Sequence, residues 1–255
     1  MEDQRSEPAP QGLARLGGAL YLAIIGLGIF AEVLVRQRLL VAGDAMATAA
    51  NIRAHELLWR WGLAAELVSL ICVTVLLLVW VVLLRPVHRD LLILAVAFVV
   101  VAHIVQASSL VDLWATLFPL GEAGYLQAFT PEQLAAMSRL TARAHAHGFG
   151  VSLLFSGCFF LVAGYLIFRS GYLPRFIGVL YQIAGLGYIT NTFVMVLAPG
   201  LSGRVFLAAV APVLLGELSL SLWLLVKGVD VEGWNRRQRG GALGVQSPAA
   251  VEPAK

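Results

Sequence analysis

Apolar residues run almost unbroken through six stretches of this chain, 16–37, 61–84, 91–116, 146–168, 175–198 and 205–227, with polar residues gathered between them. A bilayer core takes roughly 20 apolar residues per helical span. The runs are too long for buried strands, and they lack the period-two alternation of a membrane barrel. The pattern predicts an all-α membrane protein with six transmembrane helices in a bundle. Composition agrees: 59% of residues are hydrophobic, 13% are charged and the mean hydropathy is +0.83, whereas soluble domains carry about 25% charged residues. The first run is long and no cleavage site follows it closely, so it reads as a span rather than a signal peptide.

The connecting segments predict the rest of the organisation. Residues 1–15 are polar and contain proline, and 228–255 are rich in Gly, Pro and Ala, so both read as disordered tails around a membrane domain of 16–227. Asp44 is an expected N-cap. A straight helix from 45 to 84 would be roughly 60 Å long, about twice the hydrocarbon thickness. A break near Trp61-Gly62 is therefore expected, leaving a short interfacial helix before span two with Trp59 and Trp61 at the headgroup level. Thr130-Pro131-Glu132-Gln133 is a helix-start signal and predicts another short helix before span four. The tail cluster Trp234-Asn235-Arg236-Arg237 is expected on anionic headgroups.

Charge reports topology here rather than nucleic-acid binding, which the composition does not suggest. With six spans both termini share a side, and the two turns on that side, Arg85 to Arg89 and Arg169 to Arg175, are short and basic. Cytoplasmic loops carry the excess of Lys and Arg, so both termini are expected in the cytoplasm of a cell with this protein in its cell membrane. Cys72 and Cys158 both lie inside apolar runs, which leaves no disulfide framework or cysteine metal motif.

Glycines fall at heptad spacing on either side of the second basic turn: Gly150, Gly157 and Gly164 before it, Gly178 and Gly185 after it. Small residues let membrane helices approach closely, so these five predict a packed seam between spans four and five. Gly18, close to the membrane surface, is expected to matter less.

Ionisable side chains inside membrane helices cost about 2.5–3.5 kcal/mol for the worst at mid-helix, so each invites a functional reading. Glu32 is four residues before Arg36, which a local ion pair explains. Glu66, His103, Gln106, His147, Tyr188, Asn191 and Glu217 are spread over spans two to six at overlapping depths and are expected to line one polar cavity open to the outer side. Each also has a structural reading: Glu217 bonded to a neighbouring helix, His103 to Gln106 or a backbone carbonyl, His147 to interfacial water. His145 and His147 stand about 200° apart around a helix, so they cannot share a ligand. Zinc held by Glu66, His103 and His147 is chemically allowed, but no metal-binding spacing supports it, and no cofactor motif is present. The expected activity is binding, sensing or transport of a small molecule. The alternative is a metal- or acid/base-dependent intramembrane enzyme acting on a lipid-like substrate. The lipid bilayer is the expected partner, with a small-molecule ligand beside it and no nucleic acid.

Several local sequences together carry a family resemblance. They are Gly43-Asp44-Ala45, Thr48-Ala49-Ala50-Asn51-Ile52, Arg85-Pro86-Val87, His147-Gly148-Phe149, Gly164-Tyr165-Leu166, Arg169-Ser170-Gly171-Tyr172-Leu173-Pro174-Arg175 and Gly216-Glu217-Leu218. As a set they resemble a bacterial membrane family catalogued as domain of unknown function 4386, over about 15–230. The resemblance implies a multi-helix membrane protein of the bacterial inner membrane with no assigned activity. Glu66 stands where the family often has aspartate. Span three has Phe98 and His103 where related sequences carry a charged pair.

Overall fold

A computed structural model describes residues 10–245 and shows helices and short 3₁₀ turns, with no strand among the described residues. Helix α1 (Pro10–Ile29) runs into a π-helical segment, Phe30–Arg36, and a closing turn α2 (Gln37–Leu39). Then come α3 (Ala45–Ala54), α4 (Glu56–Leu84), α5 (Arg89–Ala115), α6 (Pro131–Ser170), α7 (Arg175–Leu197), α8 (Ser202–Val226) and α9 (Val231–Val245). Among the described residues five helical stretches, Pro10–Leu39, Glu56–Leu84, Arg89–Leu120, Pro131–Ser170 and Arg175–Leu197, are each long and apolar enough to cross a membrane, and the count is six if the pair Ala211–Val226 and Val231–Arg239, bent by 96°, is one span.

The long helices close into a ring in which α1 touches α4 and α8, α5 joins α4 to α6, and α7 joins α6 to α8. Leu67, Ile71, Leu78, Ile93, Ile104 and Leu186 point outward and are more than half exposed, as a lipid-facing belt requires. The half of the ring nearer α9 is plugged by aromatics. Trp80 meets Tyr21, Phe159 and Tyr181 edge-on at 6.1–6.3 Å between centroids, and Phe160 stacks on Tyr181 at 4.7 Å.

The heptad glycines meet in pairs. A Cβ added at Gly157 would lie 2.7 Å from the Gly185 carbonyl oxygen, and one at Gly164 would lie 2.6 Å from that of Gly178. Gly150 is different: it faces the Met195 side chain, and its carbonyl accepts the Thr192 hydroxyl at 2.8 Å. Gly18 corrects an expectation. Its missing Cβ would sit 2.6 Å from the Ser221 carbonyl oxygen and 2.7 Å from the Leu225 nitrogen, so α1 crosses α8 here as closely as α6 crosses α7.

Four boundaries also differ from those expected. The break before span two is at His55 (φ −129°, ψ 38°), not at Trp61-Gly62. The Asn51 amide ties α3 back to the Leu39 carbonyl, while Gly62 stays helical and takes Val35 against its bare face, at 3.0 Å from an added Cβ. Trp59 is accordingly buried beside Val35, Leu39 and Ile52, and only Trp61 is exposed. The helix expected before span four is continuous with it, preceded by a 3₁₀ turn over Gly124–Ala128. Thr130 and Gln133 do form a capping box, but the helix they open continues for 40 residues to Ser170. Helix α1 begins at Pro10, so only residues 1–9 of the first expected tail lie outside the described residues.

The last difference is α9, helical over residues expected to be disordered; residues 246–255 lie outside the described ones. The chain turns at Gly228 (φ 71°) and lays α9 across the end of the ring. Trp234 is 5% exposed there rather than in the headgroups, and its indole N–H donates to the Leu83 carbonyl at 3.3 Å. That carbonyl lies in the last turn of α4, where helical partners run out, and it also accepts the Tyr172 hydroxyl. Burial pushes the Tyr172 hydroxyl well above its ordinary value, so it stays a donor. Gln11 bonds both Lys227 and Val229, and Arg237 donates to the Arg169 carbonyl at 2.7 Å. Trp234→Phe should therefore lower stability by about 1 kcal/mol. Trp114→Phe, on an exposed indole, should change the melting temperature in detergent far less.

Candidate functional site

An arginine near the end of an apolar helix must find its charge partners inside the bundle or in water. Arg36 finds them inside. Its Nε donates to Glu32 Oε2 at 2.7 Å along its own span, and its Nη1 donates to Glu66 Oε1 at 2.5 Å across to α4. The Glu66 and Arg36 side chains are only 7% and 12% exposed, and that of Glu32 is 44% exposed. The second Glu66 oxygen accepts a long bond of 3.5 Å from Gln106 on α5, so the network bridges three helices. The π-helical segment Phe30–Arg36 carries both Glu32 and Arg36. Such segments are rare and concentrate at functional sites because they re-aim side chains.

His145 on α6 lies beside this network. It is buried, stacks on Phe149, and its Nδ1 meets the Ser109 carbonyl of α5 at 3.0 Å. A carbonyl partner makes Nδ1 the protonated nitrogen and leaves Nε2 as the ring's acceptor. Close approach of α5 and α6 places it: a Cβ on Gly148 would come within 2.6 Å of Ser109 Cβ.

Below the network the ring encloses a cavity of about 770 Å³ that takes wall residues from all six long helices. Glu32, Arg36, Glu66, Gln106, Arg139 and His145 surround its upper part. The middle is apolar, formed by Ile24, Ile25, Leu153, Val213 and Leu214. Tyr188 and Asn191 of α7 and Glu217 of α8 also line the cavity; Gly216 packs against Leu180 and Tyr181, which sets Glu217 well below Asn191. Glu217 is nine residues from the end of α8, roughly 14 Å along the axis, whereas Arg36 is some 39 Å from the start of α1. Asn191 is 5% exposed and its Oδ1 has no hydrogen-bond partner.

Glu66, Gln106, Tyr188, Asn191 and Glu217 thus come together around one space. His103 and His147 do not join them. His103 turns its Nδ1 to the Val99 carbonyl of its own helix, and His147 is exposed with its Nδ1 on the Arg143 carbonyl. Two residues of helix separate His147 from His145, which places them on nearly opposite faces; the inward face is that of His145. The zinc ligand set weighed from the sequence is not assembled, and no group of three His, Cys, Asp or Glu suited to a metal occurs among the described residues. Arg36, Arg139 and His145 escaped the sequence reading. For Arg36 the available signal was its position: one guanidinium with a carboxylate four residues away and a second, Glu66, at the matching depth of the next span.

The family model described as Domain of unknown function (DUF4386) matches residues 16–228. No curated protein and no solved structure matches the chain.

Proposed function

The chain belongs to the family described as domain of unknown function DUF4386, and for this member we propose that the central cavity binds a small amphipathic molecule. One observation carries the reading: a single space walled by every long helix, with an ion-pair network above and an apolar sleeve beneath. Its volume is that of a small-molecule site, which commonly spans roughly 300–1,000 Å³. A bundle that needed only stability would fill such a space, because unfilled volume costs packing energy. The network supplies polar contacts for one end of a ligand, and the sleeve takes its apolar body.

Entry is from the side opposite the basic turns and α9. Gln11, Leu83, Arg169, Tyr172 and Trp234 are bonded together at one end of the ring. The excess of arginine at that end makes it the cytoplasmic face, so the mouth opens outward and both termini are cytoplasmic.

Cysteine labelling in intact cells tests the cavity and its orientation together. In a chain lacking Cys72 and Cys158, cysteine at Ser69 or Ala146 should react with a small membrane-impermeant thiol reagent added outside. Cysteine at Leu78 or Leu186, on the lipid face, should react at least about tenfold more slowly, since thiolate forms and reacts only where water reaches it. Equal rates at all four positions would remove the case for a water-filled binding site.

A further inference from the structure

We propose that the cytoplasmic end of the ring holds the phosphate of an anionic phospholipid, in a pocket of about 560 Å³ that α9 closes over the two basic turns. The site is separate from the central cavity and does not depend on how that cavity is read. Three segments wall it: Pro86 and Val87 from the α4–α5 turn, Ser170 and Gly171 from the α6–α7 turn, and Gly233, Arg236 and Arg237 from α9. Contacts on both sides of the pocket fix α9 there. The Asp230 N–H donates to the Tyr172 carbonyl at 3.3 Å, and a Cβ on Gly233 would lie 3.3 Å from the Tyr172 Cβ. Trp234 and Arg237 donate to the Leu83 and Arg169 carbonyls. Tertiary contacts build the pocket.

The charge gathered here is what points to a ligand. The segments 85–90, 169–175 and 227–239 hold eight Lys and Arg against three Asp and Glu. Insertion topology accounts for the two basic turns, but it does not require a third basic segment to fold back over them. Like charges drawn together repel. Among the described residues no carboxylate lies within ion-pair distance of Arg85, Arg89 or Arg169, and none walls the pocket. Arg236 has only Asp230, at 3.9 Å, and its side chain is 74% exposed. That carboxylate also accepts the Gly233 N–H at 3.2 Å. Arg237 gives its Nη2 to the Arg169 carbonyl and has other donors to spare. Two guanidinium groups therefore share a pocket whose walls supply no anion.

A phosphate group completes this arrangement. Guanidinium groups hold phosphate through paired, charge-assisted hydrogen bonds. Gly171, with nothing within 4 Å of its missing Cβ, leaves room beside them. The placement favours a lipid as the source of that phosphate. Helix α9 is bent by 96° from α8, so it runs along the membrane surface where α8 crosses the membrane. Lipid phosphates are concentrated in that plane, and the cytoplasmic leaflet carries the anionic ones. Net charge then selects the headgroup. A zwitterionic lipid brings its own cation against a wall without a carboxylate, whereas phosphatidylglycerol brings the phosphate charge alone.

Native mass spectrometry of the full-length protein tests this directly. The protein is released from nonionic-detergent micelles doped with equal amounts of phosphatidylglycerol and phosphatidylcholine, and the lipids it retains are counted. The parent should retain phosphatidylglycerol at least about twentyfold over phosphatidylcholine. Arg236→Gln should cut that preference about fivefold, and Arg236→Gln with Arg237→Gln should bring the two lipids close to parity. Arg38→Gln with Arg143→Gln removes two exposed arginines from the opposite end of the ring and should leave the preference unchanged. Inorganic phosphate in large excess should not displace the lipid. Melting curves establish that each variant is folded. If the double variant at α9 is not, because it also loses the bond to the Arg169 carbonyl, Arg236→Gln alone decides. Equal retention of the two lipids by the parent, or an undiminished preference in Arg236→Gln, would overturn the inference. An equal fall in the control pair at the opposite end would overturn it too, since overall charge and not a site would then be attracting the lipid. Displacement by inorganic phosphate would replace the lipid with a soluble phosphate compound as the occupant, and the inference as stated would fall.

Discussion

Leucine at Gly178 is expected to pull the α6–α7 hairpin apart, with a loss of at least about 3 kcal/mol and a fall of about 10 °C in the melting temperature. The reason is what a side chain would strike. At Gly178 the new Cβ meets the Gly164 carbonyl oxygen at 2.6 Å and the Phe168 nitrogen at 2.8 Å. These are backbone atoms of a regular helix and cannot rotate away as the end of a side chain can. The contact is reciprocal, since Gly164 would strike Gly178 in the same way, and Gly157 and Gly185 repeat the arrangement two turns along. Leucine at Gly185 should therefore do as much damage as leucine at Gly178. So should leucine at Gly18, against the backbone of α8. Leucine at Gly26, which has nothing within 4 Å of its missing Cβ, is the matched control and should melt close to the parent. If the four variants melt together, close packing at glycine is not what holds the ring.

These glycines also show what kind of information the chain carries openly. A spacing of seven on two adjacent spans is local, and it places the same face of each helix inward whatever the rest of the bundle does. The polar residues on α4, α5, α7 and α8 were legible for a related reason: a carboxyl or amide in an apolar run has few places to go but inward. Rotation around the helix was harder. His145 and His147 sit in the same polar segment, and only the contact of α6 with Ser109 decides which one faces in. Arg36 was hidden by its own neighbour, because Glu32 explains it completely at i,i+4, while its second partner lies 30 residues away in sequence. The π-helical segment that aims it has no composition of its own. Helix α9 was obscured by its glycines and arginines. What orders it is tertiary: one indole, one backbone carbonyl on α4 and a glutamine at the start of α1.

Arg36→Met is expected to be the most damaging exchange at the site, at about 3–5 kcal/mol, because it strands the Glu66 carboxylate in the bundle with one long bond from Gln106. Glu32 is less affected, being nearly half exposed. The size of that loss does not mean that the pair stabilises the fold by the same amount. Desolvating both groups offsets most of their attraction, and a buried pair replaced by apolar residues of similar volume is often neutral or better. The double exchange Arg36→Met with Glu66→Leu should therefore recover to within about 1 kcal/mol of the parent. Arg36→Lys should fall between, since an ammonium cannot spread a planar fork across two carboxylates. Unfolding of the parent, Arg36→Met, Glu66→Leu and the double variant in a denaturing-detergent titration gives the cycle directly, with Arg36→Lys alongside. A double variant as unstable as Arg36→Met would mean that the network holds α1, α4 and α5 together by itself. Recovery would mean that the ring can do without it, and that the charges at the mouth are there for what enters the cavity.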